Sequence, residues 1–124
     1  MKIYVFGNIL VDIDSLPIKL IPLLRKEFPE IEFCELDPSE DFPKEKILNI
    51  IDTVLGITKV EVFKDIEKFK LGNLCSLHDF DLGFNLRLMK KFKMIEKVNI
   101  IGVPPNIKPH DVINQIKELK PVNL

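Results

Sequence analysis

Asp14, Asp52 and His78 come from three separate stretches of the chain, and together they could hold a borderline divalent ion. A mixed oxygen and nitrogen donor set suits Ni²⁺ or Zn²⁺ better than Mg²⁺, which takes oxygen ligands. Three protein ligands also leave the coordination sphere open, as a catalytic site requires. Each residue has a plainer use too. Asp14 could cap a helix beside Ser15, Asp52 could end a strand in a turn, and His78 could bond to backbone; loop acids of this kind are common. Competing chemistries lack parts. A phosphate-cradling loop needs clustered glycines and a lysine, and Gly7 stands alone. A receiver-type phosphoacceptor needs a lysine after the last core strand, where Val103-Pro104-Pro105 stands, with Lys108 the nearest. A serine or cysteine triad would need His110, which sits at a helix start and reads as solvent-facing.

The elements that must position these residues alternate along the chain. Lys2 to Phe6 is an apolar strand ended by Gly7-Asn8. Ser15 reads as an N-cap, and Leu20, Ile21, Leu24 and Phe28 recur at helical spacing. Pro17 suits the first turn, whereas Pro22 implies a kink or a later start, and Pro29 stops the helix. Strands follow at Ile31–Leu36, at Ile47–Val54 (apolar and β-branched, as in a strand buried on both faces) and at Lys59–Phe63, which alternates like an edge strand. The stretch from Asp37 to Lys46 is a polar loop punctuated by proline. Asp79 and Asp81 open a helix with Leu82, Leu86, Met89 and Phe92 on one stripe. Lys97–Val103 is a further core strand, and Pro109 starts a last amphipathic helix carrying Val112, Ile116 and Leu119.

The order β-α-β-β-β-α-β-α implies an α/β fold: three layers, with a mostly parallel twisted sheet of about five strands and helices on both faces. Ligands in such sheets bind outside the carboxyl ends of the strands. That edge receives the loop bearing Asp12 and Asp14, the strand end Asp52-Thr53, and the segment Cys75-Ser76-x-His78.

Composition narrows the function. The 124 residues, with 46% hydrophobic, suit a single domain over 1–124 with its own core. Eighteen basic against nineteen acidic residues argue against nucleic acid as a partner. No uncharged apolar run approaches the roughly 20 residues of a membrane span, so no membrane partner is expected. Two cysteines, Cys34 and Cys75, make no disulfide framework, and Met1 leads into no signal-peptide pattern; a cytoplasmic location is the expectation.

Four motifs in order carry a resemblance. Gly7-Asn8-Ile9-Leu10 with Asp14, then Ile50-Ile51-Asp52, then Ser76-Leu77-His78-Asp79-Phe80-Asp81-Leu82-Gly83, then Ile100-Ile101-Gly102-Val103-Pro104-Pro105 resemble the hydrogenase maturation peptidases, from Lys2 to about Asn106. These endopeptidases trim the C-terminal tail of the nickel-iron hydrogenase large subunit after nickel insertion. The resemblance implies that Asp14, Asp52 and His78 are both the metal contacts and the catalytic residues. It implies no permanently bound cofactor, the nickel being supplied by the substrate precursor, which is the expected partner. The chain departs from the family's pattern at three places. Val5 stands where Gly-x-Gly-Asn has its first glycine. Asp12-Ile13-Asp14-Ser15 replaces paired acids followed by glycine, which leaves Asp12 as an alternative first ligand. Asp37-Pro38-Ser39 replaces Asp-Gly-Gly.

The leading reading is therefore a nickel-sensing endopeptidase of aspartic type. The alternative is a non-catalytic hydrogenase assembly factor, or a metal-binding α/β domain, on the same fold. Remaining features read as structural first. Cys75 has a ligand-like spacing to His78, but a lone loop cysteine is commonly incidental, and Cys34 reads as core. Asp79 and Asp81 favour a helix N-terminus, and Lys90-Lys91-x-Lys93 a helix end. Leu16, Phe80 and Phe84 are candidates for an apolar wall beside the site or for core packing.

Overall fold

The computed structural model describes residues 2–7, 15–36, 45–64 and 96–123, with side chains through 119. Five strands and two helices lie in these stretches. They are β1 (Lys2–Phe6), α1 (Leu16–Glu27), β2 (Glu32–Leu36), β3 (Ile47–Thr53), β4 (Glu61–Phe63), β5 (Lys97–Val103) and α2 (Pro109–Asn123). The strands form one sheet in the order β2-β1-β3-β5-β4. All neighbours are parallel except β4, which runs antiparallel to β5 at the edge. The α/β architecture with a mostly parallel sheet is the one expected from the alternation of elements.

Both sheet faces are buried. Ile3, Val5, Ile51, Ile101 and Val103 point to one face, where α1 contributes Leu20, Ile21, Leu24 and Phe28 and α2 contributes Val112, Ile113 and Ile116. Tyr4, Phe6, Leu36, Leu48, Ile50, Val98 and Ile100 form a second cluster on the other face. Both described helices thus pack on the first face. The helix read over Asp79 to Phe92 lies outside the described residues. Truncating a fully buried side chain such as Leu20 or Leu24 would cost about 2–5 kcal/mol.

The stripe expected for α1 is the one buried, and of the two expectations at Pro22, a kink or a later start, the later start is not what the fold adopts. The helix begins at Leu16 and runs through Pro22, which lies on the exposed side. There, the carbonyl left without an N–H partner can turn to water. Ser15 precedes the helix without a side-chain capping bond; its carbonyl accepts from the Lys19 N–H at 3.2 Å.

The helices also reach the sheet's two edges. Arg25 of α1 donates to the Phe33 carbonyl on β2 at 3.1 Å. The Val60 N–H beside β4 donates to Gln115 of α2 at 2.7 Å. Lys117 and Glu27 join the two helices through a 2.8 Å ion pair. No described helix is long and apolar enough to cross a membrane.

Candidate active site

The strand order reverses between β1 and β3. From β1 the chain crosses to β2 on one side, and β3 and β5 stack on the other. A crevice for ligands opens at such a switch point, outside the carboxyl ends of the strands. Tyr4 pairs with Ile50 and Val5 with Ile51, so the same register brings Gly7 level with Thr53. The segment bearing Asp12 and Asp14 leaves the sheet at Gly7 and rejoins α1 at Ser15.

Asp52 stands at this end of β3. It is 1% exposed, a rare burial for a carboxylate. Its Oδ1 accepts the Thr53 N–H at 2.8 Å. Thr53 is also fully buried, and its hydroxyl has no hydrogen-bond partner among the described residues. Alternation places Asp52 with Ile50 on the second face and Thr53 with Ile51 on the helical face.

Across the ladder, Asp52 pairs with Gly102 and Gly102 with Glu61. Gly102 is required here by space. A Cβ at this position would lie 2.8 Å from Phe63 Cε2 and 2.8 Å from Val54 Cγ2. The absent side chain lets an aromatic ring and a methyl close in over Gly102. Just beyond, the loops after β3 and β5 flank an open cleft of about 510 Å³ lined by Gly56, Ile57, Pro104, Pro105 and Ile107, with Lys108 and Asp111. A larger hollow of about 680 Å³ lies along β2 near Arg25 and Glu32. It borders the first residues of an edge strand, at the opposite end of the sheet from Asp52, so the smaller cleft is the one placed for chemistry.

Of the residues singled out in the sequence, Asp52 is at the expected strand end. Asp12, Asp14, Cys75, His78, Asp79, Phe80, Asp81, Phe84 and the Lys90–Lys93 run lie outside the described residues. Among the described residues, no three His, Cys, Asp or Glu side chains cluster to hold a metal. His110 is exposed, its Nε2 lying 3.2 Å from Asn114 Nδ2. Leu16 packs on the helical-face core. Cys34 is half-buried, and burial pushes its thiol above the usual range, with Glu32 adding to the shift, so it is a poor nucleophile. Sequence reasoning missed Thr53, whose signal was its adjacency to Asp52, and Phe63, whose approach to Gly102 depends on a pairing between segments about forty residues apart.

The fold has counterparts among solved structures. The hydrogenase maturating endopeptidase HybD from E. coli superposes with a TM-score of 0.61 at 19% identity, over 95% of this chain and 86% of that one. The chain has the hydrogenase maturation endopeptidase fold. A hydrogenase 3 maturation protease matches with a TM-score of 0.61 at 17% identity, over 95% of this chain and 87% of that one. The solution structure of an endopeptidase from Escherichia coli matches at 0.60 and 18%, over 100% and 95%. No protein-family model and no curated protein sequence matches this chain. The fold agrees with the family that the sequence motifs resemble.

Proposed function

We propose that the protein is an endopeptidase of hydrogenase maturation, cutting the C-terminal tail from a nickel-iron hydrogenase large-subunit precursor once nickel has been inserted. The observation that carries this reading is the buried carboxylate of Asp52 at the carboxyl end of β3, beside the switch point, in a fold shared with such peptidases. In this reading Asp14, Asp52 and His78 complete the coordination of nickel that arrives in the substrate.

The chain's own residues then orient and activate. Asp52, held by the Thr53 N–H, would approach the metal in a fixed rotamer. A carboxylate in that position could instead take a proton from the attacking water, a role worth about 10²–10⁴ in rate. The substrate nickel would polarise the scissile carbonyl or lower the pKa of a bound water toward about 7. His78 must be neutral to coordinate, so activity should fall as pH drops through the imidazole titration, ordinarily about 6.5. A His78→Ala enzyme that processes normally, with the same acid limb, would remove His78 from the mechanism.

The direct test is to incubate the protein with nickel-loaded and nickel-free precursor and weigh the products. Release of a C-terminal peptide from the loaded form alone supports the reading. Tight binding without cleavage would make the chain an assembly factor, and release from both forms would end the nickel-sensing role.

A further inference from the structure

The open cleft of about 510 Å³ between the loops after β3 and β5 lies at the same edge of the sheet as Asp52. Its volume falls among those of ligand pockets, about 300–1,000 Å³. Its distance from the aspartate follows from the ladder. Asp52 pairs with Gly102, and Pro104 on the cleft wall stands two residues past that glycine. At roughly 3.3 Å per residue the cleft begins about 7 Å beyond Asp52 along the strands. The two strands stay joined up to it, because the Val54 N–H donates to the Val103 carbonyl at 3.0 Å.

Both walls are preorganised. On the β5 side, Pro104 and Pro105 fix two consecutive φ angles at about −65° and present no N–H. On the β3 side, Gly56 turns the chain at a φ of 84°, in the left-handed region. Ile57 and Ile107 line the cleft from opposite walls while each stays anchored in the core, Ile57 on the second-face cluster and Ile107 on the helical-face cluster. Lys108 and Asp111 stand exposed in the lining, one of each sign, so their charges favour neither an acidic nor a basic occupant. A rigid apolar floor with balanced charge suits an uncharged peptide carrying an aliphatic side chain.

We propose that this cleft seats an aliphatic side chain of the precursor's C-terminal tail, two or three residues past the scissile bond. This rests on the peptidase reading. The tail is the occupant because the chain before the scissile bond belongs to the folded body that holds the nickel, whereas the tail is free to run out along the sheet edge. An extended tail advances roughly 3.3 Å per residue, so its second or third residue reaches the cleft when the scissile carbonyl lies near Asp52.

The test uses nickel-loaded precursors carrying Leu, Ala or Asp at each of the first four tail positions, the scissile bond being located first from the wild-type product mass. Wild type should favour Leu over Asp at the second or third position by about tenfold or more in kcat/KM, the scale on which apolar subsites discriminate. Ile107→Ala should flatten that preference at the same position and leave the other positions as they were, the loss appearing in KM rather than kcat. Thr58→Trp, at an exposed position of the lining, should fill the cleft and raise KM for the Leu substrate by a similar factor; it carries the test should Ile107→Ala fail to fold. Equal rates for Leu and Asp at the second and third positions, or an unchanged preference in a folded variant, would overturn the proposal. Failure of wild type to release any tail from the unaltered precursor would instead overturn the peptidase reading, and this proposal with it.

Discussion

Strands β3 and β5 carry two sets of polar residues three positions apart, and the sheet treats them differently. Asn49 and Asn99 face each other in register, and Asn99 Nδ2 donates to Asn49 Oδ1 at 2.9 Å. The two amides thus meet across the ladder, inside the sheet, through this one bond, while Asn99 Oδ1 has no partner among the described residues. Asp52 faces a glycine, and Thr53 pairs with Val103. Neither can find a polar side chain across the ladder, and the Asp52 bond to the Thr53 N–H is purely local. The amide pair therefore serves the register of two core strands: a slip of one residue would separate the two side chains onto opposite faces. The carboxyl-end pair contributes little to pairing and stands where loops from two strands part. The asparagine pair bonds across the ladder inside the sheet, while Asp52 and Thr53 stand at its carboxyl edge, where ligands bind in sheets of this kind.

The sharpest way to break this contrast is Asp52→Asn. The amide oxygen still accepts the Thr53 N–H, so the melting temperature should stay within a few degrees of wild type. Tail release from nickel-loaded precursor should fall on the order of 10³-fold or more, as expected for loss of a charged ligand or base. If the variant instead unfolds, Asp52 belongs with the asparagines as a structural group.

Much of the frame behind this contrast was legible in the sequence. The bounds of β5 and the start of α2 at Pro109 follow from a β-branched run closed by prolines and from a proline at a first helical turn. The α1 stripe of Leu20, Ile21, Leu24 and Phe28 is a helical period, and Asp52 stands near the end of a mostly apolar strand. What could not be read was pairing. Periodicity marks Lys59–Phe63 as an edge strand, of which Glu61–Phe63 pairs, yet neither its antiparallel direction nor its place outside β5 is encoded locally. The closeness of Phe63 to Gly102, and of Asn49 to Asn99 fifty residues later, exists only once strands are ordered. The continuation of α1 through Pro22 had the same origin, because tertiary packing of the buried stripe outweighed a local preference on the exposed side.

The other half of the contrast is tested at Asn99. Asn99→Leu strips Asn49 of its donor inside the sheet and should cost about 1–3 kcal/mol, the penalty of an orphaned polar group. A lower midpoint in denaturant with an unchanged slope would report it. Replacing both residues with leucine should recover most of that loss, since removing both partners together can be nearly neutral. Tail release should be unaffected in either variant. A double variant as damaged as the single one would mean that the pair does more than satisfy itself.

The smallest effect is expected at Tyr4, another polar group that the fold satisfies internally. Its hydroxyl donates to Glu45 Oε1 at 2.9 Å, and burial, followed by that carboxylate, raises its pKa above the usual value near 10. A raised pKa in an acid that is neutral when protonated means that the folded state favours the neutral phenol. The stabilisation is therefore complete below the unfolded value near 10 and is lost as pH climbs through the higher folded one. Tyr4→Phe cannot ionise, so its stability should decline less steeply than wild type above about pH 10, while the two run parallel at neutral pH. Thermal melts between pH 7 and 11 would read the difference. Identical alkaline limbs would show that Tyr4 ionises as freely in the fold as in the open chain.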